Sequence, residues 1–220
     1  MILGHRVKTA GATAATGVRS FASGYLTTAS GDYSVAEGRN TTADGDSSHA
    51  EGDSTSAPGH YSHAEGRLTT AGVAGASSHA HAEGLSTAAT GLYSHAEGSG
   101  TTASGKFSHS EGDNTIASGE ASHASGSVAV ANSIYTFVWS DGAPFTNSAA
   151  NQFNVHATTG SRFMHGPVSI ESNLSVTNCI FIRTNDAAPP TATAGGGWLW
   201  NSNNVLYWVT TANTNFIAGP

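Results

Sequence analysis

Histidine and glutamate recur at fixed spacing through the first half of the chain, and both residue types can bind metals or form charge-assisted hydrogen bonds. The recurring histidines, here called the His row, are His49, His63, His81, His95, His109 and His123. The recurring glutamates, here called the Glu row, are Glu37, Glu51, Glu65, Glu83, Glu97 and Glu111. Where a repeat holds both, they stand two positions apart, which places both side chains on one face of a β-strand. Stacked strands would turn the two sets into parallel rows.

A glycine ladder sets the spacing of these residues. Gly recurs every seven residues from Gly17 to Gly66 and again from Gly84 to Gly126, with a four-residue insertion inside residues 67–83. Ala precedes nearly every one of these glycines by two positions. A coiled coil is excluded, because heptads need large apolar residues and each helical Gly costs about 1 kcal/mol.

Two kinds of half-repeat alternate, so the structural unit is a pair of seven-residue halves. One half is rich in Thr, as in 27–31, and the other has the pattern of 48–52, Ser-His-Ala-Glu-Gly. With a period of two, each half predicts a short strand whose Ser, Thr and Ala point inward and whose His and Glu point outward. We expect Gly at the corners, where φ is positive. The sequence therefore predicts an all-β solenoid of about eight coils, each made of two halves and stacked about 4.8 Å apart.

The repeat resembles that of a known family. Residues 34–38, Ser-Val-Ala-Glu-Gly, resemble the Ser-Val-Ala-x-Gly repeat of the YadA-like head of trimeric adhesins. The Ser-His-Ala-Glu-Gly form is similar to a variant in phage and prophage tail fibre proteins. The resemblance implies a trimeric, left-handed parallel β-roll in which the His and Glu rows face neighbouring subunits. Buried Ala contributes little apolar area at about 25 cal/mol per Å², so we expect a single roll to need such association.

Two interpretations of the rows stay open. In the favoured one, His and Glu of adjacent chains hydrogen-bond to each other and hold the trimer in register, so we expect no cofactor and no metal. In the other, three chains offer imidazoles and carboxylates to a metal on the three-fold axis. The local candidate is the pair His79 and His81, which resembles the His-x-His iron sites of some phage fibres.

Composition divides the chain into four predicted regions: an attachment segment at 1–16, the roll at 17–130, a β connector at 131–165 and a C-terminal β tip at 166–220. All four Trp lie beyond residue 130. Residues 140–144, Ser-Asp-Gly-Ala-Pro, predict a turn within the connector.

The tip carries a second candidate site. Residues 198–200 and 205–209 flank Asn-Ser-Asn-Asn, which predicts a hairpin. Its aromatic residues are either core residues or a contact surface for a host glycan or receptor: Trp198, Trp200, Tyr207 and Trp208.

Charge and motif content narrow the function. Residues 1–131 carry 6 Lys/Arg against 12 Asp/Glu, so nucleic acid is not an expected partner. No apolar run is long enough to span a membrane, so membrane insertion is not expected either. The repeated Ser, His and Glu have the spacing of a ladder rather than of a unique catalytic triad, so we do not expect an enzyme.

The sequence thus predicts a homotrimeric structural and adhesive fibre subunit of a phage particle, located in the virion as a tail or surface fibre. Its expected partners are other tail or capsid proteins and a host cell-surface glycan or protein. The alternatives are a bacterial trimeric surface adhesin, which would be extracellular, and a purely structural virion or baseplate spacer.

Overall fold

The computed structural model describes residues 13–159 and, beyond them, the backbone of three strands within residues 197–218. These described residues form strands and turns without any helix, and hence without a helix that could cross a membrane. The chain divides into two units, Met1–Arg162 and Phe163–Pro220. Most of the predicted attachment segment lies outside the described residues.

The first unit is a parallel β-solenoid in which long and short strands alternate. The long strands are β2 (Phe21–Tyr25), β4 (Val35–Arg39), β6 (His49–Asp53), β8 (His63–Arg67), β10 (His81–Leu85), β12 (His95–Ser99), β14 (His109–Asp113), β16 (His123–Ala131), β17 (Phe137–Thr146) and β18 (Phe153–His156). The short strands are β1 (Ala14–Ala15), β3 (Thr28–Ala29), β5 (Thr42–Ala43), β7 (Ser56–Ala57), β9 (Thr70–Ala71), β11 (Ala88–Ala89), β13 (Thr102–Ala103) and β15 (Ile116–Ala117).

Each strand pairs in parallel with the equivalent strand of the next coil. His49 lies opposite His63 and Ala50 opposite Ala64, one full repeat further along the chain. The predicted all-β solenoid with 14-residue coils is therefore confirmed. Small residues fill its interior: Ala50 and Ala64 are fully buried, as are the Thr residues that immediately precede the short strands, such as Thr41. Ser62 closes its corner by donating a 2.6 Å hydrogen bond from Oγ to the carbonyl oxygen of Gly59.

The predicted placement of glycine at the corners is wrong in detail. Gly52 lies inside strand β6 with φ +113, whereas most corner residues with positive φ are non-glycine, such as Ser54 (φ 60) and Tyr61 (φ 58). A Cβ added at Gly52 would overlap the carbonyl group of Gly66 in the next coil. Glycine is therefore required mainly because consecutive backbones approach too closely for a side chain.

The four-residue insertion is absorbed in one loop. His63 still pairs with His81, and Thr70 with Ala88, so the strands on both sides keep their register. The extra residues project between Ala71 and His81, where Gly72 and Gly75 adopt positive φ.

The parallel sheet continues into the predicted connector. Phe137 pairs with His123 of the preceding coil and with Phe153 of the next, which brings the number of long strands in the described residues to ten. Residues 140–144 do not form the predicted turn. They lie within β17, where the register shifts opposite Ser127 to Ala129 and Gly142 takes φ +128. A β-bulge accommodates the Gly and Pro of this segment without ending the strand.

The second unit contains an antiparallel sheet of β19 (Gly197–Ser202), β20 (Val205–Thr210) and β21 (Thr214–Ala218). Strands β19 and β20 pair as the predicted hairpin, with Trp200 opposite Tyr207. The side chains of Trp198, Trp200, Tyr207 and Trp208 lie outside the described part of the structure.

Candidate functional site

The His row is a continuous stack of imidazole rings on the outward face of the long strands. Each His occupies the first position of its strand, so the register between coils places equivalent rings directly above one another. Neighbouring ring centroids are 4.5–4.9 Å apart with interplanar angles of 2–27°. The ring separation follows the spacing between hydrogen-bonded strands.

The Glu row runs beside this stack, two positions further along each long strand. Glu51 pairs with Glu65 and Glu83 with Glu97 across adjacent coils. A groove of about 700 Å³ follows the row, with Glu51 at one end and Ser125 at the other. Its floor is made by the strand glycines, which have no side chain to fill it.

Within one chain, imidazoles of the His row already approach carboxylates of the Glu row. The Nε2 atom of His63 lies 3.7 Å from an oxygen of Glu51 and 4.0 Å from an oxygen of Glu65. The Nε2 atom of His109 lies 3.6 Å from an oxygen of Glu97. These separations are longer than hydrogen bonds.

The surroundings of three members of the His row disfavour the charged form of the imidazole. Burial, followed by repulsion from the adjacent rings of the stack, lowers the pKa of His63, His81 and His109. Each of these side chains keeps roughly a third of its surface exposed, yet its Nε2 atom is buried. Charging one ring would place a cation directly against its stacked neighbours.

From Glu65 to Glu111, neighbouring carboxyls of the Glu row differ in the direction of their pKa shifts. A hydrogen bond with Glu83, with burial as the next cause, raises the pKa of Glu65 to about 7. The Glu97 pKa is also raised, mainly by its hydrogen bond with Glu83, whereas the Glu83 pKa is lowered by the same contacts. At the end of the row, a hydrogen bond from Ser125 lowers the pKa of Glu111. Protonated and ionised carboxyls can therefore alternate along the groove.

His79 and His81 lie in different columns. His81 stacks between His63 and His95 in the His row. The ring of His79 stacks instead between Tyr61 and Tyr93, at centroid distances of 4.9 and 5.0 Å. Among the residues that the structure describes, His79 belongs to none of the groups of three potential metal ligands. The predicted His-x-His pair is thus divided between two rows of stacked rings.

The column that holds His79 is an aromatic ladder not predicted from the sequence. It occupies a corner at which the residues have positive φ, and it continues from Tyr93 to Phe107 with ring centroids 5.2 Å apart. Its members recur at multiples of the coil length, allowing for the insertion: Tyr33, Tyr61, His79, Tyr93, Phe107 and Tyr135. That spacing was the available signal, although Ser47 and Ala121 interrupt it.

The outward column of the His row changes character at both ends of the roll. Phe21 and Val35 precede His49 in it, and Phe137 and Phe153 follow His123. Trp139 continues the column of the Glu row after Ser125. The polar rows are therefore bounded by apolar side chains on the same face.

Comparison with known proteins identifies the repeat. Residues 15–41 and 110–131 each match the YadA head domain repeat. These two matches and the parallel solenoid with 14-residue coils are consistent with a YadA-like head. This domain indicates a trimeric adhesin-like β-roll, and YadA-like heads form homotrimers. YadA-like adhesin domains are extracellular or surface-exposed, and their fold is typically non-enzymatic. A comparison with curated proteins finds no match.

Proposed function

We propose that the protein is a homotrimeric structural and adhesive fibre subunit of a phage particle that attaches the particle to a host surface. The YadA-like roll carries the proposal, and a left-handed trimeric head is part of it. Other tail or capsid proteins hold one end of the fibre, and a glycan or protein of the host surface contacts the tip.

The need for association is supported by the outward face of the last coils. Phe153 is 73% exposed and Val155 is 43% exposed, although both lie in a regular strand of the solenoid. Both positions belong to the columns that continue the His and Glu rows. Apolar groups at the ends of these rows would be buried between copies, where burial contributes about 25 cal/mol per Å².

The phage assignment is supported by the form of the repeat. Ser-His-Ala-Glu-Gly resembles the variant in phage and prophage tail fibre proteins, and it places polar groups where the YadA-like repeat has apolar ones. A trimer built on such a face combines apolar contacts at its ends with polar contacts along its middle.

Sedimentation equilibrium or native mass measurement of the full chain tests the assembly. We expect a trimer, and we expect Phe153→Ser to weaken it without changing the circular dichroism spectrum. Phe107→Ser is the matched control, because Phe107 is exposed on the corner ladder rather than in the outward columns. A monodisperse wild-type monomer would refute the proposal.

Two further measurements separate the alternatives. Antibodies against the roll should label phage particles from the source culture, whereas labelling of intact cells alone would identify a bacterial surface adhesin. The fluorescent trimer should bind host cells and should lose binding when Trp198 and Trp200 are replaced by Ala. A trimer that labels particles but binds no cell or glycan would be a structural spacer.

A further inference from the structure

The His row contains buried nitrogen atoms that lack a partner. The Nε2 atoms of His49, His63, His81, His95 and His109 have almost no solvent contact and no hydrogen bond within the described residues. A buried polar atom without a partner is destabilising, because it has lost its hydrogen bonds to water. The Nε2 atoms of His63 and His109 approach carboxylate oxygens without reaching hydrogen-bond distance. A ligand placed between them would satisfy both groups.

The gaps have the size of a metal coordination edge. Zn²⁺ binds imidazole nitrogen and carboxylate oxygen at about 2.0–2.2 Å, so two ligand atoms of a tetrahedral site lie about 3.4 Å apart. The Nε2 atom of His63 lies 3.7 Å from an oxygen of Glu51, and the Nε2 atom of His81 lies 3.9 Å from an oxygen of Glu83. Small side-chain rotations would close these gaps onto an ion. A direct hydrogen bond would need a larger movement.

The ligands fall into repeated groups of three whose donor atoms lie within 4.8 Å of one another. These groups are His49–Glu51–His63, Glu65–His81–Glu83, Glu83–His95–Glu97 and His109–Glu111–His123. Because the second and third groups share Glu83, at most three of the four can be filled at once. We propose that the His row and the Glu row together bind up to three divalent transition-metal ions of the Zn²⁺ class per chain.

The proposed sites bridge consecutive coils. His49 and Glu51 belong to β6, whereas His63 belongs to β8, so one ion would link two layers of the solenoid. The groove along the Glu row leaves room on the outer side for water or a partner's ligand as the fourth donor. The ions would also offset repulsion among stacked carboxylates.

This inference goes beyond the proposed function and does not depend on it. It concerns metal binding by the His and Glu rows, and not attachment to a host. The proposed sites also differ from the predicted His79–His81 site, because only His81 belongs to the His row. Each site takes ligands from two adjacent coils, which the stacking of the strands brings together. The two histidines of the short local motif are not brought together in this way.

Titration calorimetry of the chelator-treated full chain with Zn²⁺ at neutral pH tests the proposal. We expect saturable binding of up to three ions per chain, and we expect Co²⁺ to give the visible absorption of a tetrahedral site. The double variant His63→Phe/His109→Phe should lower the stoichiometry by two ions. Phe suits this column, because Phe137 and Phe153 already occupy it.

His79→Phe is the matched control, since Phe107 occupies its column and the ring stack would be kept. It should leave the stoichiometry unchanged. Histidine side-chain NMR of the wild-type protein gives a readout that needs no variant: Zn²⁺ should shift the Nε2 resonances of the His row and leave that of His79 in place. Absence of saturable binding, or equal binding by the double variant, would overturn the proposal.

Discussion

The middle coils and the last coils of the solenoid share one backbone plan but differ in their outward chemistry. His123 and Phe137 are paired in the same column, and so are Ser125 and Trp139. The column position is therefore compatible with either an imidazole or a phenyl ring. Close stacking of the coils depends instead on the small inward residues and on the strand glycines. The outward face can thus vary between polar and apolar without changing the fold.

At the inward positions, in contrast, a change of side chain is accompanied by a change in the coil. Ala124 in a middle coil and Val138 in the last coils are paired and both fully buried. The larger side chain, that of Val138, occurs where the coil is also longer. Phe137 and Phe153 stand further apart along the chain than His123 and Phe137. In the last coils a larger interior side chain accompanies a longer coil, in keeping with a close-packed interior that leaves little free space.

The largest expected effect concerns the glycines of the close-packed coils. Gly52→Ala should destabilise the protein by more than about 4 kcal/mol, since the new Cβ meets the backbone of Gly66 in addition to the cost of a positive φ. Gly142→Ala has a similar φ but open space around it, so it should cost only about 1–3 kcal/mol. Urea unfolding followed by circular dichroism would compare them. Equal losses would show that coil contact is not the reason for Gly52.

The next effect tests the match of interior volumes. Ala96→Val should cost about 1–3 kcal/mol by overpacking a middle coil, and Val138→Ala should cost a similar amount by leaving a cavity. Ala88→Val is the control, because Ala88 shares an outward column with Thr102 and Ile116. It should change the unfolding midpoint only slightly. If Ala96→Val were as mild as the control, the interiors of the two regions would not differ as proposed.

A pH-dependent effect distinguishes the polar middle from the apolar end. The Glu65 pKa is raised to about 7, so its contribution to stability is complete below its unfolded pKa of about 4.3 and is lost as the pH rises through 7. In chelator, Glu65→Gln should therefore be more stable than wild type at pH 8, and this advantage should disappear near pH 5.

Thermal unfolding at several pH values would measure this difference. The control variant is Glu120→Gln, because Glu120 is exposed. We expect the unfolding temperature of this variant to change with pH as that of the wild type does. The lowered pKa values of His63, His81 and His109 act in the opposite direction. Their contribution is present above the unfolded value of about 6.5 and is lost as the pH falls. A constant difference between Glu65→Gln and wild type would contradict the raised pKa of Glu65.

The smallest expected effect concerns a corner hydrogen bond. Ser94 Oγ donates a 2.8 Å bond to the carbonyl oxygen of Gly91. Ser94→Ala should cost about 1 kcal/mol, and not more, because Ala80 already occupies the equivalent position before His81. Ser104→Ala, at an exposed site, should have no measurable effect on the unfolding midpoint. A loss several times larger would mean that the corner bond fixes the coil geometry.

The sequence alone determined the coil length, the inward and outward assignment of side chains and the resemblance to the YadA-like head. These properties are local, because a period of two fixes the faces of a strand and the alternation of two half-repeats fixes the length of a coil. Only the tertiary structure decided that Gly52 is needed for contact with Gly66, that the sheet continues to His156 and that His63 approaches Glu51 of the preceding coil. The physical reason is that these contacts join separate layers, and their geometry follows from how closely the backbones stack.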